Sequence, residues 1–222
     1  YLSSILVGLL LPFTMLTLLF FLDNKIHTKR QLSPLIPDIP IIGEIPYIDT
    51  GDEFSLLTQE TKTSRAPLAE SMRMLIANLN YTIFNNELKS RIILVTSSVK
   101  GEGKTIVSTS LAKLLSDKFE KVLLIGADLR NPQIHKYLGK EKSVLGLSDY
   151  VFRNDIEFKD ILIKLKNLDI ALSGSIPPNP LDLLSSKKFD RLLIDMKKEY
   201  DCIIIDSAPC LLVSDTFELS EK

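Results

Sequence analysis

The chain has few of the residues that build disulfide frameworks or metal clusters. Its two cysteines, Cys202 and Cys210, argue against a disulfide framework and favour a reducing compartment. No group of histidines and cysteines has metal-ligand spacing. The net charge is -1, from 27 basic and 28 acidic residues, so no overall positive field indicates a nucleic-acid partner.

Methionine is absent from the first position, and the chain stops at Lys222, just after an apparent helix start. We therefore expect a piece of a longer protein, with parts needed for function outside it. The 222 residues suffice for one good-sized domain and an accessory segment, and the hydrophobic fraction of 45% suffices for a core.

Charge is absent from residues 1–22, which are mostly Leu, Phe, Ile and Val. As a helix this run is about 33 Å long, enough to cross the hydrocarbon core of a bilayer. A signal peptide needs a basic region before the run and a small-residue cleavage site after it, and both are missing. A buried helix of a soluble domain is the other alternative. We predict a transmembrane helix at 1–22.

A proline-containing segment follows this run. By the positive-inside rule its basic residues predict a cytoplasmic flank, whereas an ordinary solvated charge run would leave the side undetermined. Proline blocks helix interiors, so residues 23–66 are predicted to form a cytoplasmic juxtamembrane linker. The basic residues are Lys25, His27, Lys29 and Arg30, and the prolines are Pro34, Pro37, Pro40 and Pro46.

Residues 67–222 alternate between strand-like and helix-like runs. This alternation predicts βαβ units, and so an α/β domain with a mostly parallel sheet flanked by helices. Helical spacing begins near Leu68 and continues to Ile83. The predicted strands are 91–96, 122–126, 168–172 and 202–206. The other predicted helices are 104–118, 187–198 and shorter pieces near 146–152 and 158–164.

A phosphate-binding loop lies between the first of these strands and a helix. The stretch SVKGEGKT, residues 98–105, fits the pattern G-x-x-x-x-G-K-[ST] except that Ser98 replaces the first glycine. Inward-pointing amides bind phosphate, Lys104 neutralises the β- and γ-phosphates, and the Thr105 hydroxyl holds Mg²⁺. The predicted nucleotide-binding residues are Lys100, Gly101, Glu102, Gly103, Lys104, Thr105 and Ile106.

The loop also contains Lys100, for which two interpretations stay open. It is either an activating lysine within the loop or, as we favour, a solvated lysine.

Two carboxylates follow predicted strands. Asp206 ends YDCIIID and Asp128 follows VLLIG, so both lie at the carboxyl edge of the sheet, where ligands bind in open α/β sheets. Asp206 is expected to orient Mg²⁺ through water. A helix cap or a turn residue is the alternative for each.

Six stretches together resemble the bacterial tyrosine autokinases of capsule and exopolysaccharide biosynthesis, fused behind a chain-length-determinant membrane segment. The membrane end, DNKIHTKRQL and IIGEIP resemble the second transmembrane helix and linker of that family. The stretches are ESMRMLIANLNY, TSSVKGEGKT, VLLIGADLRNP, GLSDYV, SGSIPPNPLDLL and YDCIIIDSAP.

The resemblance implies a P-loop NTPase-type fold that uses ATP and Mg²⁺ for tyrosine phosphorylation at the bacterial inner membrane, with the kinase domain cytoplasmic. It implies catalytic roles for Lys104, Asp128 and Asp206, and metal binding by Thr105, Asp128 and Asp206. Subunits of the family form a ring in which each offers a C-terminal tyrosine tail to its neighbour. Phosphorylation and dephosphorylation by a phosphatase regulate the polysaccharide polymerase and export machinery.

This chain departs from the family's pattern in three places. Gly126 replaces the first aspartate of D-x-D-x-R, a candidate general base, so ATP binding is expected to survive while turnover slows. The family's interface helix has the pattern E-x-x-R-x-x-R, of which this chain keeps Glu70 and Arg73, whereas Ile76 replaces the second arginine. No tyrosine cluster is present, and we expect the tail to lie beyond Lys222.

Two other functions stay open beside the kinase. One is a catalytically impaired ATP-binding regulator of polysaccharide assembly, which Gly126 favours. The other is an ATPase of the chromosome-partitioning and septum-placement type. Those proteins carry a lysine that aligns with Val99, one position from Lys100.

Overall fold

The computed structural model describes residues 1–23, 26, 28–47, 66–82, 90–139 and 144–222. The chain divides into two compact units, Tyr1–Glu44 and Ile45–Lys222. The predicted domain boundaries at 22/23 and 66/67 stay predictions.

The first unit contains two helices, α1 (Leu2–Leu22) and α2 (Lys29–Leu32). Helix α1 continues through Pro12. A capping box starts α2, in which the Thr28 amide donates to Gln31 Oε1 at 3.2 Å. Two of the predicted flank residues, Lys25 and His27, lie outside the described residues.

The prediction of a transmembrane helix at 1–22 is not supported. No helix in the described part of the chain is both long and apolar enough to cross a membrane.

The second unit contains a sheet of five strands in its described residues. The strands are β1 (Arg91–Val95), β2 (Val122–Gly126), β3 (Leu162–Lys164), β4 (Leu168–Ala171) and β5 (Cys202–Asp206). Their order in the sheet is β1-β5-β2-β4-β3. All neighbouring strands are parallel except β3 and β4, which are antiparallel. The α/β class with a mostly parallel sheet is thus confirmed.

Helices pack against this sheet, and β2 and β5 are therefore buried along their whole length. Leu123 and Ile203 belong to a core cluster with Phe189 and Leu192, whereas α4 packs against β5 and β2 with Leu111 buried. The helices are α3 (Ala66–Thr82), α4 (Lys104–Leu115), α5 (Ile134–Tyr137), α6 (Leu147–Phe152), α7 (Pro180–Leu184), α8 (Lys187–Glu199) and α9 (Asp215–Ser220).

The helix predicted near 158–164 is wrong in its second half. Residues Phe158–Ile161 form a short 3₁₀ helix, and β3 follows directly. Its pairing explains the difference, because Leu162 lies opposite Ala171 and the Leu165 amide donates to the Leu168 carbonyl at 2.8 Å. A tight turn therefore adds an antiparallel edge strand, which a short apolar run does not distinguish from a helix.

The register aligns the carboxyl ends of the central strands. Val95 of β1 and Gly126 of β2 both lie opposite Asp206 of β5. The loop after β1, the loop after β2 and Asp206 therefore share one edge of the sheet, where open α/β sheets bind ligands.

Candidate functional site

The loop between β1 and α4 has the backbone of a phosphate cradle. Gly101 and Gly103 have φ values of 94° and 91°, a left-handed conformation that glycine adopts without strain. A Cβ at Gly103 would lie 3.3 Å from Ile106 Cγ2, so this position has little room for a side chain. Helix α4 begins at Lys104 without a side-chain cap, which leaves first-turn amides available to an anion.

Lys104 and Asp128 form a buried ion pair at this loop. Lys104 Nζ lies 2.8 Å from Asp128 Oδ2, and the two side chains are 11% and 3% exposed. The same ammonium donates to Thr105 Oγ1 at 3.3 Å. The second oxygen of Asp128 accepts the Asn131 amide at 2.9 Å, which holds the carboxylate in place.

Thr105 connects this pair to the third predicted site residue. Its hydroxyl donates to Asp206 Oδ2 at 3.0 Å. Lys104, Thr105, Asp128 and Asp206, which are distant in sequence, are therefore brought together by contacts that run from one to the next. A P-loop lysine, a threonine hydroxyl and two carboxylates are the groups that hold Mg²⁺ and the β- and γ-phosphates.

Asp206 is a deeply buried carboxylate whose surroundings suit a cation. It is 1% exposed, and its Oδ1 is a buried oxygen without a hydrogen-bond partner among the described residues. Burial raises its pKa to about 6, although the charge of Lys104 and the hydroxyl of Thr105 act in the opposite direction. A divalent cation beside Oδ1 would relieve this burial cost, so the residues present fit Mg²⁺.

No cluster of three or more His, Cys, Asp or Glu side chains suited to a metal occurs in the described parts of the chain. A cation here would be held by Asp206 and Thr105 together with phosphate oxygens. Asp128, also predicted as a metal ligand, accepts a hydrogen bond from Lys104, and its metal role stays a prediction. Mg²⁺ commonly binds in this way, with one or two carboxylates and the phosphates of its substrate.

A side chain at Gly126 would require its neighbours to shift. A Cβ built on it would be 2.7 Å from Ser173 Oγ, 3.1 Å from the Ser173 amide nitrogen and 3.2 Å from Ile134 Cδ1. The Ser173 hydroxyl therefore occupies the volume into which a residue-126 side chain would extend. Sequence reasoning missed Ser173, although it opens the quoted stretch SGSIPPNPLDLL.

The remaining predicted nucleotide-site residues lie around the loop. Lys100 and Glu102 are exposed, and Ile106 is half-buried. The Glu102 carboxylate accepts two loop amides, from Ser98 at 2.7 Å and from Val99 at 3.2 Å. Lys100 thus has the exposure of the solvated lysine that we favoured.

The predicted interface helix is α3. Glu70 and Arg73 form an ion pair of 3.0 Å on its surface, with side chains 65% and 63% exposed. Ile76, in contrast, is 4% exposed and belongs to the core. The lost arginine is therefore replaced by a residue that packs α3 into the domain.

Arg130 was also missed, although it belongs to the stretch ADLRNP. Its guanidinium donates to both carboxylate oxygens of Asp215, Nε to Oδ2 at 2.7 Å and Nη2 to Oδ1 at 3.0 Å. The Asp215 side chain is 1% exposed. Because the partners are far apart in sequence, only the fold brings them together.

A family model described as an AAA domain, AAA_31, matches residues 90–220. This match covers the loop, both carboxylates and every strand of the described sheet. The chain belongs to this family.

Within the family, the relatives of the chain are bacterial tyrosine kinases. It is 35% identical over 147 residues to the tyrosine-protein kinase YwqD of Bacillus subtilis, covering 66% of this chain and 61% of YwqD. The VpsO kinase domain is 34% identical, with a TM-score of 0.62 and coverage of 69% of this chain and 74% of that one. The kinase domain of the Escherichia coli tyrosine kinase ETK is 26% identical, with a TM-score of 0.75 and coverage of 89% and 79%.

These likenesses identify a tyrosine-kinase domain of the type found in bacterial capsule and exopolysaccharide systems, built on a P-loop ATPase-type fold. The chain spans less than two thirds of the length of YwqD. The activity, substrates and partners of the whole protein are therefore matters of proposal.

Proposed function

We propose that this protein is an ATP-dependent protein-tyrosine autokinase that regulates capsule or exopolysaccharide polymerisation and export. One observation carries the proposal: Lys104 lies between Asp128 and Thr105 at the cradle, and Thr105 is bonded to Asp206. This arrangement suits a nucleoside triphosphate with Mg²⁺, and the similar proteins YwqD and ETK are named as tyrosine kinases.

Each residue has a defined task in the proposed reaction. ATP would supply the γ-phosphoryl group. Thr105 and Asp206 would hold Mg²⁺, which would supply charge neutralisation, and Lys104 would turn from Asp128 to the β- and γ-phosphates. The tyrosine oxygen forms a bond to the γ-phosphorus, the bond from that phosphorus to the ADP oxygen breaks, and the hydroxyl proton passes to Asp128. Because Lys104 moves to the phosphates, the Asp128 carboxylate becomes free to accept this proton.

The proposed partners follow from the family rather than from the described contacts. We expect copies of the chain to assemble into a ring through α3, with Glu70 and Arg73 at the interface. The tyrosine tail of a neighbouring subunit would enter the site, and a phosphatase and the polymerase and export machinery would act with it. The proposed location of the domain is the cytoplasm, where ATP is.

A second candidate function is ATP binding with little or no phosphoryl transfer, as in a regulator of the same system. The position of Ser173 favours it, because its hydroxyl fills the space beside Gly126 where the resemblance predicts a carboxylate. If Asp128 does not take over the proton transfer that the resemblance places at position 126, the loss of positioned acid–base help costs about 10²–10⁴-fold in rate. Phosphoryl transfer depends mainly on positioning and charge stabilisation, so slow turnover remains the first proposal.

The test is phosphotyrosine formation from labelled ATP and Mg²⁺, on the chain and on an added tyrosine-containing polypeptide. We expect labelling by the wild type and by Lys113→Met, and none by Lys104→Met. Lys113 is a matched control because it is an exposed lysine on the same helix, α4. Equal labelling by Lys104→Met would refute the site. ATP binding without any phosphotyrosine in the wild type would favour the second candidate.

A further inference from the structure

The first half of the phosphate loop is held by a carboxylate of its own. Glu102 Oε2 accepts the Ser98 amide at 2.7 Å and the Val99 amide at 3.2 Å. The Ser97 hydroxyl donates to the Val99 carbonyl at 2.9 Å, which tightens the same turn. Two of the loop's backbone donors are therefore satisfied before any nucleotide arrives.

The same half is also fixed from outside. The Cys210 amide donates to the Ser97 carbonyl at 2.8 Å, and the Leu211 amide donates to the Ser98 carbonyl at 3.3 Å. These two bonds hold the outer edge of the loop to the segment after β5, whereas Glu102 is the side chain that holds the amides of Ser98 and Val99.

Two opposite effects on a bound triphosphate follow from this geometry. A loop that is already folded loses less conformational freedom on binding, which strengthens the affinity. A carboxylate within the loop repels phosphate oxygens, which weakens the affinity, and salt screens this repulsion because Glu102 is exposed.

We infer that Glu102 is a positioning residue of the nucleotide site, whose side chain preorganises residues 98–102 while its charge limits the affinity for ATP. The inference rests on the proposed nucleotide-binding function. Glutamine retains a carbonyl oxygen for the two amides and removes the charge, whereas alanine removes both. The two substitutions therefore change the ATP affinity in opposite directions.

The experiment compares wild type, Glu102→Gln and Glu102→Ala in two measurements on the same chain. Amide hydrogen exchange tests the brace without nucleotide: we expect Ser98 and Val99 to exchange about tenfold faster in Glu102→Ala and at nearly the wild-type rate in Glu102→Gln. ATP titration tests the charge: we expect about threefold tighter binding by Glu102→Gln at low salt, lost at high salt, and about three- to tenfold weaker binding by Glu102→Ala.

Glu120→Gln is the control for net charge, since Glu120 is exposed and precedes β2, at the opposite edge of the sheet. It is expected to leave both measurements unchanged. Unchanged exchange of Ser98 and Val99 in Glu102→Ala would overturn the inference, as would equal ATP affinities for the glutamine and alanine variants. The third outcome is that Ser98 and Val99 exchange faster in Glu102→Ala while neither the wild type nor any variant binds ATP. It would contradict the proposed function but would establish that Glu102 holds the two amides.

Discussion

At the scale of single residues, Asp206 carries its charge where solvent does not reach it. Burial raises its pKa from 3.8 to about 6. A pKa that is higher in the folded chain than in the unfolded chain adds stability at low pH, and this stability is lost as the pH rises through the folded value. Without a cation, ionised Asp206 is therefore expected to destabilise the domain.

We predict that Asp206→Asn becomes increasingly stabilising relative to the wild type as the pH rises from about 4 to above about 6. Over this pH range, the free energy of unfolding of the variant relative to that of the wild type rises by roughly 3 kcal/mol, because a pKa raised by about two units corresponds to about that free energy. Chemical unfolding in EDTA at several pH values measures it, and Asp117→Asn, at an exposed position, is the control. A difference that does not change with pH would contradict the assigned burial cost.

Gly126 and Ser173 form the second residue-scale case, because they compete for one volume. We predict that Gly126→Asp lowers the free energy of unfolding by about 1–3 kcal/mol, as overpacking does. Ser173→Gly removes the closest contact, so the double variant is expected to recover part of that loss, with a coupling of at least about 0.5 kcal/mol. Denaturant unfolding of the wild type, both single variants and the double variant measures the coupling. Additive effects would show that the two positions do not compete.

At the scale of elements, Arg130 connects the loop after β2 to α9. Its ion pair with Asp215 is bidentate, and the hydrogen bond to Asp215 raises the pKa of the guanidinium. Asp215 lies in the first turn of α9, and Thr216 next to it donates to the Ala208 carbonyl at 2.5 Å. The segment after β5 is thereby joined to the segment that carries Asp128.

We predict that Arg130→Met destabilises the domain by about 1–3 kcal/mol, because it leaves the Asp215 carboxylate buried without its partner. The matched control is Arg153→Met, which breaks an exposed pair with Asp155 and is expected to cost less than about 1 kcal/mol. Thermal unfolding of the two variants gives the comparison. Equal losses would mean that the burial of Asp215 does not matter.

Elements with a strong pattern were predicted from the sequence, whereas the shortest helices, α5 and α7, were not. The apolar runs at β2 and β5 gave their observed bounds, and the stripe near Leu68 predicted α3. Helices α5 and α7 have four and five residues, too few for a helical period to appear. The antiparallel strand β3 was missed because its three residues pair only through the turn that precedes β4.

At the scale of the whole molecule, the candidate site is partly legible in the sequence. Lys104 and Thr105 were predicted from the phosphate-loop pattern. Asp128 and Asp206 were predicted because they lie at the carboxyl ends of strands, and parallel strands end at one edge. The strand order, the Arg130–Asp215 pair and the Ser173 contact depend on long-range packing, which local patterns do not contain. The site roles of the predicted residues stay proposals until nucleotide binding is measured.

The most direct test of the account is calorimetric titration of the 222-residue chain with ATP in Mg²⁺ and in EDTA. We predict one ATP per chain, tighter binding in Mg²⁺, loss of binding in Lys104→Met but not in Lys113→Met, and loss of the Mg²⁺ effect in Asp206→Asn. An ATP affinity of Lys104→Met equal to that of the wild type would contradict the assignment of this edge of the sheet as an ATP–Mg²⁺ site. A wild-type ATP affinity that is the same in Mg²⁺ and in EDTA would also contradict it.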